Sequence, residues 1–132
     1  MEEGIIMNQE KVLLFSMSFA KEKKINDICR SLGMDAKRVS SCLFGQKLGF
    51  LAGITGFKRE NAAYLGGEFP EEMLVFSGVT SEKMDEFLAA YKEMKLEPID
   101  RKAMVTPHNI FWTPEQLYQE LEKEHQSFRK IQ

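Results

Sequence analysis

The residue pattern points to an α/β fold: a tandem β-α-β-α repeat forming one four-stranded, mostly parallel sheet with packed helices. Three observations lead there. Two segments read alike, KVLLFSMSFAKEKKINDICRSLGM at Lys11–Met34 and EMLVFSGVTSEKMDEFLAAYKEMKL at Glu72–Leu96. Each opens on a short apolar run and continues with apolar residues at helical spacing. Neither half could bury both faces of two strands alone, whereas two halves sharing one sheet could.

The elements follow in order. Val12–Phe15 and Met73–Phe76 are apolar runs bounded by polar residues and suit buried strands. Ser18 and Thr80 are candidate helix N-caps. Ile25, Ile28, Cys29 and Leu32 then form one helical stripe, and Met84, Phe87, Leu88, Tyr91 and Met94 form its counterpart. Second strands are expected at Val39–Phe44 and Lys102–Val105, and closing helices at Gln46–Leu51 and Pro114–Phe128. Within a single domain of residues 1–132, the first unit spans 11–55 and the second 72–128. Residues 56–71 form a connector punctuated by Gly66-Gly67 and Pro70, with a short helical turn expected around Asn61–Leu65. Strand–helix–strand units of this length favour parallel pairing through right-handed crossovers. A ferredoxin-like α+β sandwich, antiparallel between the halves, is the alternative.

With 132 residues, 29% of them charged and 43% hydrophobic, the chain has the size and composition of one ordinary soluble domain. A net charge of −2 gives no general attraction to nucleic acid or anionic lipid, so neither is an expected partner. The halves carry opposite net charge, +3 over residues 1–66 and −5 over 67–132, which would favour head-to-tail contact between molecules, although such asymmetry more often has no consequence; a homodimer is kept among the expected partners. Cys29 and Cys42 lack CxxC spacing or a Cys/His cluster, so neither a metal site nor a disulfide framework is expected. Free thiols fit a reducing cytoplasm. The start, MEEGIIMNQEK, is acidic with a very short apolar run, unlike a signal peptide. Leu48–Phe57, the most apolar later stretch, is about half the ~20 residues of a membrane span.

The densest chemistry lies in MVTPHNIFWTPEQL, Met104–Leu117. Its second part reads as a helix start. Pro114 suits the first helical position, and Thr113 and Gln116 have capping-box spacing. Trp112 and Leu117 fall where a hydrophobic staple would set the entry angle. The first part, Thr106-Pro107-His108-Asn109, follows a strand, and ligands of open α/β sheets bind beyond the strands' carboxyl ends. In a parallel sheet, Ser77-Gly78-Val79-Thr80 and Ser16-Met17-Ser18 open at that same edge. Ser77 and Gly78 also precede a helix N-terminus, which attracts anions.

The candidate ligand-binding residues are therefore Ser77, Gly78, Lys102, Thr106, His108 and Asn109, with Lys102 and His108 supplying charge for a small carboxylate or phosphate. Against this stands a plain structural role, in which Thr106 and Asn109 satisfy their own turn. His108 is the natural acid–base candidate by residue type, but a general base needs a partner, and the nearest preceding carboxylate in sequence, Asp100, lies across a strand. His125 flanks the apolar stripe of the last helix, four after Leu121 and three before Phe128. Nucleophile motifs are absent, and the Gly49, Gly53, Gly56 spacing fits neither a Walker nor a Rossmann loop. Gly53-Ile54-Thr55-Gly56, followed by Phe57-Lys58-Arg59, resembles the GXXG loop of KH domains, but in an acidic chain. No catalytic residue, metal or cofactor is assigned. The leading expectation is a small non-catalytic cytoplasmic binding or regulatory module. The alternatives are a small enzyme using His108 with a fold-supplied carboxylate, and a structural homodimeric interaction protein.

The run Met73–His125 also resembles an uncharacterised bacterial family, domain of unknown function 3783. Lys102, Thr106, Asn109, Trp112, Thr113 and the strand signal at Leu74–Phe76 carry the resemblance. It implies a bacterial source and no known activity, and it names no substrate. His108 is not among the residues that carry it.

Overall fold

The computed structural model describes residues 9–131, so most of the acidic start MEEGIIMNQEK lies outside the described residues, as does the side chain of Phe128. The chain forms β1 (Lys11–Phe15), α1 (Phe19–Leu32), β2 (Asp35–Val39), α2 (Leu48–Leu51), β3 (Met73–Ser77), α3 (Ser81–Glu93), β4 (Arg101–Met104) and α4 (Pro114–Ile131). A 3-10 turn at Ser41–Leu43 lies between β2 and α2.

Both long helices of the repeat start and stop for local reasons. The Ser18 hydroxyl accepts from the Lys21 N–H at 3.2 Å, and Thr80 accepts from Lys83 at 3.1 Å. These bonds satisfy N–H groups that have no partner within the helix. α1 ends on Gly33 at φ 73°, and the Met34 N–H returns to the Cys29 carbonyl at 2.8 Å. That left-handed cap suits glycine, which carries no Cβ to strain it.

One sheet runs β2-β1-β3-β4. β1 and β2 are parallel, β3 and β4 are parallel, and the two units meet antiparallel through β1 and β3, with Leu13 opposite Val75. The mostly parallel sheet is thus observed, with one antiparallel junction. The ferredoxin-like alternative is not adopted, because the strands of each unit are direct neighbours rather than split by a strand of the other. On one face Val12, Leu14, Leu74 and Phe76 pack against α1 and α3. On the other, Leu13, Phe15, Met73 and Val75 pack against Phe44, α2, Phe69 and α4. Burial on both faces explains why β1 and β3 read as unbroken apolar runs.

The repeat holds, with a slip of one residue. Ser18 and Thr80, and Ile25 and Phe87, stand 62 positions apart. The same spacing relates Val12 to Leu74 and Leu14 to Phe76, which share a core face. Matching the text of the two strands instead sets Phe15 against Phe76, and a one-residue slip sends every side chain to the wrong face. In space, Phe15 corresponds to Ser77.

Four expected elements are corrected. The second strand of the first unit is Asp35–Val39, not Val39–Phe44. DAKRV is polar because β2 lies at the sheet edge, and its pairing with β1, rather than its composition, makes it a strand. β4 begins one residue early, at Arg101. The expected helix Gln46–Leu51 shrinks to the four residues of α2. Asn61–Leu65 forms no helical turn. The connector is part of the fold rather than a spacer: Phe69 stacks between Phe44 and Tyr118, with centroids at 4.3 and 4.4 Å.

Candidate functional site

The ladder between β3 and β4 ends with the Val105 N–H donating to the Phe76 carbonyl at 2.8 Å. The chain then turns back on itself at Thr106. The Thr106 N–H donates to Asn109 Oδ1 at 2.8 Å, and the Thr106 hydroxyl accepts from the N–H groups of His108 and Asn109. Asn109 Nδ2 donates to the Met104 carbonyl at 2.9 Å. Asn109 is buried, and both ends of its side-chain amide are occupied. It organises this turn.

The turn then docks on α2. The Leu48 and Gly49 N–H groups donate to the carbonyls of Trp112 and Ile110 at 2.8 and 2.9 Å. Backbone thereby caps a helix that has no side-chain cap. Gly49 also lets the connector's Phe57 ring pack close on α2, since a Cβ there would stand 2.6 Å from it. The capping box forms as its spacing predicts: Thr113 N–H donates to Gln116 Oε1 at 2.9 Å, and Gln116 N–H to Thr113 Oγ1 at 3.2 Å. Trp112 and Leu117 join the same core cluster, and Pro114 opens α4.

Between this turn and the end of β3 lies a crevice of about 470 Å³. Ser77, Gly78 and Thr106 line it, together with Ile54, Val105, Ile110 and Phe111. Ser77 projects onto the same face as Met73 and Val75, by strand alternation. In the first unit that position is held by Phe15, packed on Phe44 and Phe69. A serine in place of the ring leaves the second unit open there. Ser77 is 5% exposed, and its hydroxyl makes no hydrogen bond among the described residues. An unmet buried hydroxyl is costly unless something else meets it.

Three of the six candidate residues therefore converge, and three do not line the crevice. Lys102 pairs with Leu74 in register, so it projects to the α1/α3 face, where its Nζ donates to the Ile99 carbonyl. The His108 ring is exposed and meets Trp112 edge-on at 5.2 Å. Among the described residues it has no carboxylate, serine or cysteine partner. Asn109 is consumed by the turn. Ser16-Met17-Ser18 opens at the opposite edge because β1 runs antiparallel to β3. There the Ser16 hydroxyl bonds Glu68 and the Phe69 N–H, holding the connector. Lys11, which the sequence reading passed over, pairs with Ser77 in register. Its Nζ stands 2.7 Å from where a Cβ on Gly53 would lie, one residue from Ile54 in the crevice wall. Its signal, a lysine at the first position of a buried strand, gains meaning only through the antiparallel pairing.

No group of three or more His, Cys, Asp or Glu side chains suited to a metal ion occurs among the described residues. Cys29 is buried and Cys42 exposed. Burial pushes the Cys29 thiol up to about 12, with Asp35 adding to the shift. No helix among the described residues is long and apolar enough to cross a membrane.

Fold and crevice together define a mixed α/β domain of two β-α-β units, with an open crevice at the carboxyl ends of the second. Residues 72–128, from β3 into α4, match the family described as Domain of unknown function (DUF3783). That segment carries the fourth strand, the Thr106 turn and α4. Neither the curated proteins nor the solved structures give a match.

Proposed function

We propose that the protein is a small non-catalytic cytoplasmic binding or regulatory module whose ligand seats in the crevice beyond β3 and β4. The observation that carries this reading is Ser77, a buried hydroxyl without a described partner where the repeat has phenylalanine. Crevices at the carboxyl ends of parallel strands are the usual ligand position in α/β sheets. The walls are largely apolar, with Ser77, Thr106 and the Gly78 backbone as polar points and Lys11 as the neighbouring cation. The ligand is a small molecule with an apolar body and a compact anionic end. Ser77 donates to that end, and Lys11 balances its charge. His108 takes no part, since an exposed ring without an orienting partner is a poor general base.

Ser77→Phe tests the reading by restoring the residue of the first unit. Thermal melts are run against a panel of small carboxylates and phosphates. A ligand at 100 times its Kd raises the wild-type Tm by about 5–10 °C and leaves the variant unmoved. Equal shifts in a folded Ser77→Phe protein would remove the crevice from consideration.

A further inference from the structure

We infer that a second site, on the α1/α3 face of the sheet, binds a free medium-chain monocarboxylic acid in the cleft between α3 and β4. The two units differ in how the helix returns to its second strand. α1 reaches β2 through Gly33 and Met34 alone, whereas α3 reaches β4 through residues 94–100. The longer return passes through Lys95 at φ 57°, a left-handed conformation unusual for a non-glycine residue. It then carries Leu96 and Ile99 out to form one wall of a cleft. Leu74 and Phe87 are part of the same lining. The first unit has no such return, so the cleft belongs to the second alone.

Its chemistry is amphipathic. Apart from the Tyr91 phenol, which donates to the Glu97 carbonyl, the body of the cleft is hydrocarbon. Its charged lining residues are Lys92 and Lys102, and no carboxylate lines it. Neither lysine forms an ion pair among the described residues. Lys102 donates to the Ile99 carbonyl, which leaves further ammonium N–H groups to offer. An apolar slot with two cations among its lining residues complements an alkyl chain that ends in a carboxylate. The cleft, of about 260 Å³, has room for a ligand the size of a short alkyl chain. Octanoate meets that size, with its chain in the slot and its carboxylate between the lysines. A neutral apolar ligand would leave both cations unused.

The test titrates the full chain with octanoate, hexanoate and octanol by calorimetry, with amide NMR shifts to locate binding. Octanoate is expected to bind saturably in this cleft, shifting Leu88, Leu96, Ile99 and Lys102. Hexanoate binds about fifteenfold more weakly, since each methylene contributes about fourfold. Lys92→Glu with Lys102→Glu weakens octanoate about tenfold and spares octanol. Both substitutions are at exposed positions, and a melt checks the fold. In Ser77→Phe the octanoate-induced shifts of Leu88, Leu96 and Ile99 persist, which separates this site from the crevice. Three results overturn the inference: no saturable binding at millimolar octanoate, shifts centred on Ser77 and Thr106, or unchanged affinity after charge reversal.

Discussion

The side-chain amide of Gln46 pairs with the backbone of Glu60 in both directions. Its Nε2 donates to the Glu60 carbonyl and its Oε1 accepts from the Glu60 N–H, each at 2.8 Å. Gln46 is 2% exposed, so it acts as a buried strand neighbour for a connector that has no strand of its own. Gln46→Leu keeps the volume and loses both bonds. It is expected to cost about 1–3 kcal/mol in urea denaturation. Glu60→Ala keeps the backbone pair and loses one partly exposed ion pair with Lys47, at under about 1 kcal/mol. Equal costs for the two variants would refute the backbone role.

Asn109 and His108 are neighbours with opposite sensitivities. Asn109→Ala strips a donor from the Met104 carbonyl and an acceptor from the Thr106 N–H, both in a buried turn. A loss of about 1–3 kcal/mol is expected. His108→Ala removes an exposed ring and should stay within about 0.5–1 kcal/mol, the larger figure reflecting its contact with Trp112. A small effect at Asn109 with a large one at His108 would reverse the assignment.

The two thiols should separate cleanly toward a thiol reagent at pH 8. Cys42 is exposed and reacts promptly. Cys29, 1% exposed with its thiol near 12, reacts only as the chain unfolds. One equivalent released under native conditions and a second in denaturant is the expected count. Two fast equivalents would show that α1 does not pack as described.

Lys21 supplies a pH signature. Burial alone would lower its pKa, but the Glu72 carboxylate, which its Nζ meets at 2.8 Å, and the neighbouring Tyr91 phenol outweigh it and leave the value raised. A raised lysine binds its proton more tightly in the folded state. Its stabilisation is therefore full below the unfolded value of about 10.4 and is lost as pH climbs through the folded value. Tyr91, raised chiefly by burial, weakens the fold over the same alkaline range. Lys21→Met should cost about 1–2 kcal/mol at pH 7, a gap that closes above about pH 10.5. A gap independent of pH would exclude the linkage.

Much of the second unit could be read in advance because its signals are local. Thr80, Thr113, Pro114 and Gln116 act on backbone within one helical turn, so spacing alone reveals them. The apolar runs at β1 and β3 announce strands buried on both faces. β2 was hidden because an edge strand need not look like one, and its identity comes from hydrogen bonds to β1. Phe69 was hidden for a related reason: a lone aromatic in a Gly/Pro-rich stretch gives no period to detect.

The sequence by itself determined the buried strands β1 and β3, the helices α1 and α3 with their N-caps, and the helix start at Thr113. Tertiary structure alone decided how the units meet. The antiparallel junction of β1 and β3 sends the Ser16 turn to one edge and the Ser77 turn to the other. Strand alternation then divides neighbours that lie close in sequence, with Lys102 on one face of the sheet and the Ser77 crevice on the other. Caps and turns depend on residues three or four apart, which a sequence displays. Which face a side chain occupies, and which edge a turn opens on, depend on register and strand direction set by residues some 60 positions away.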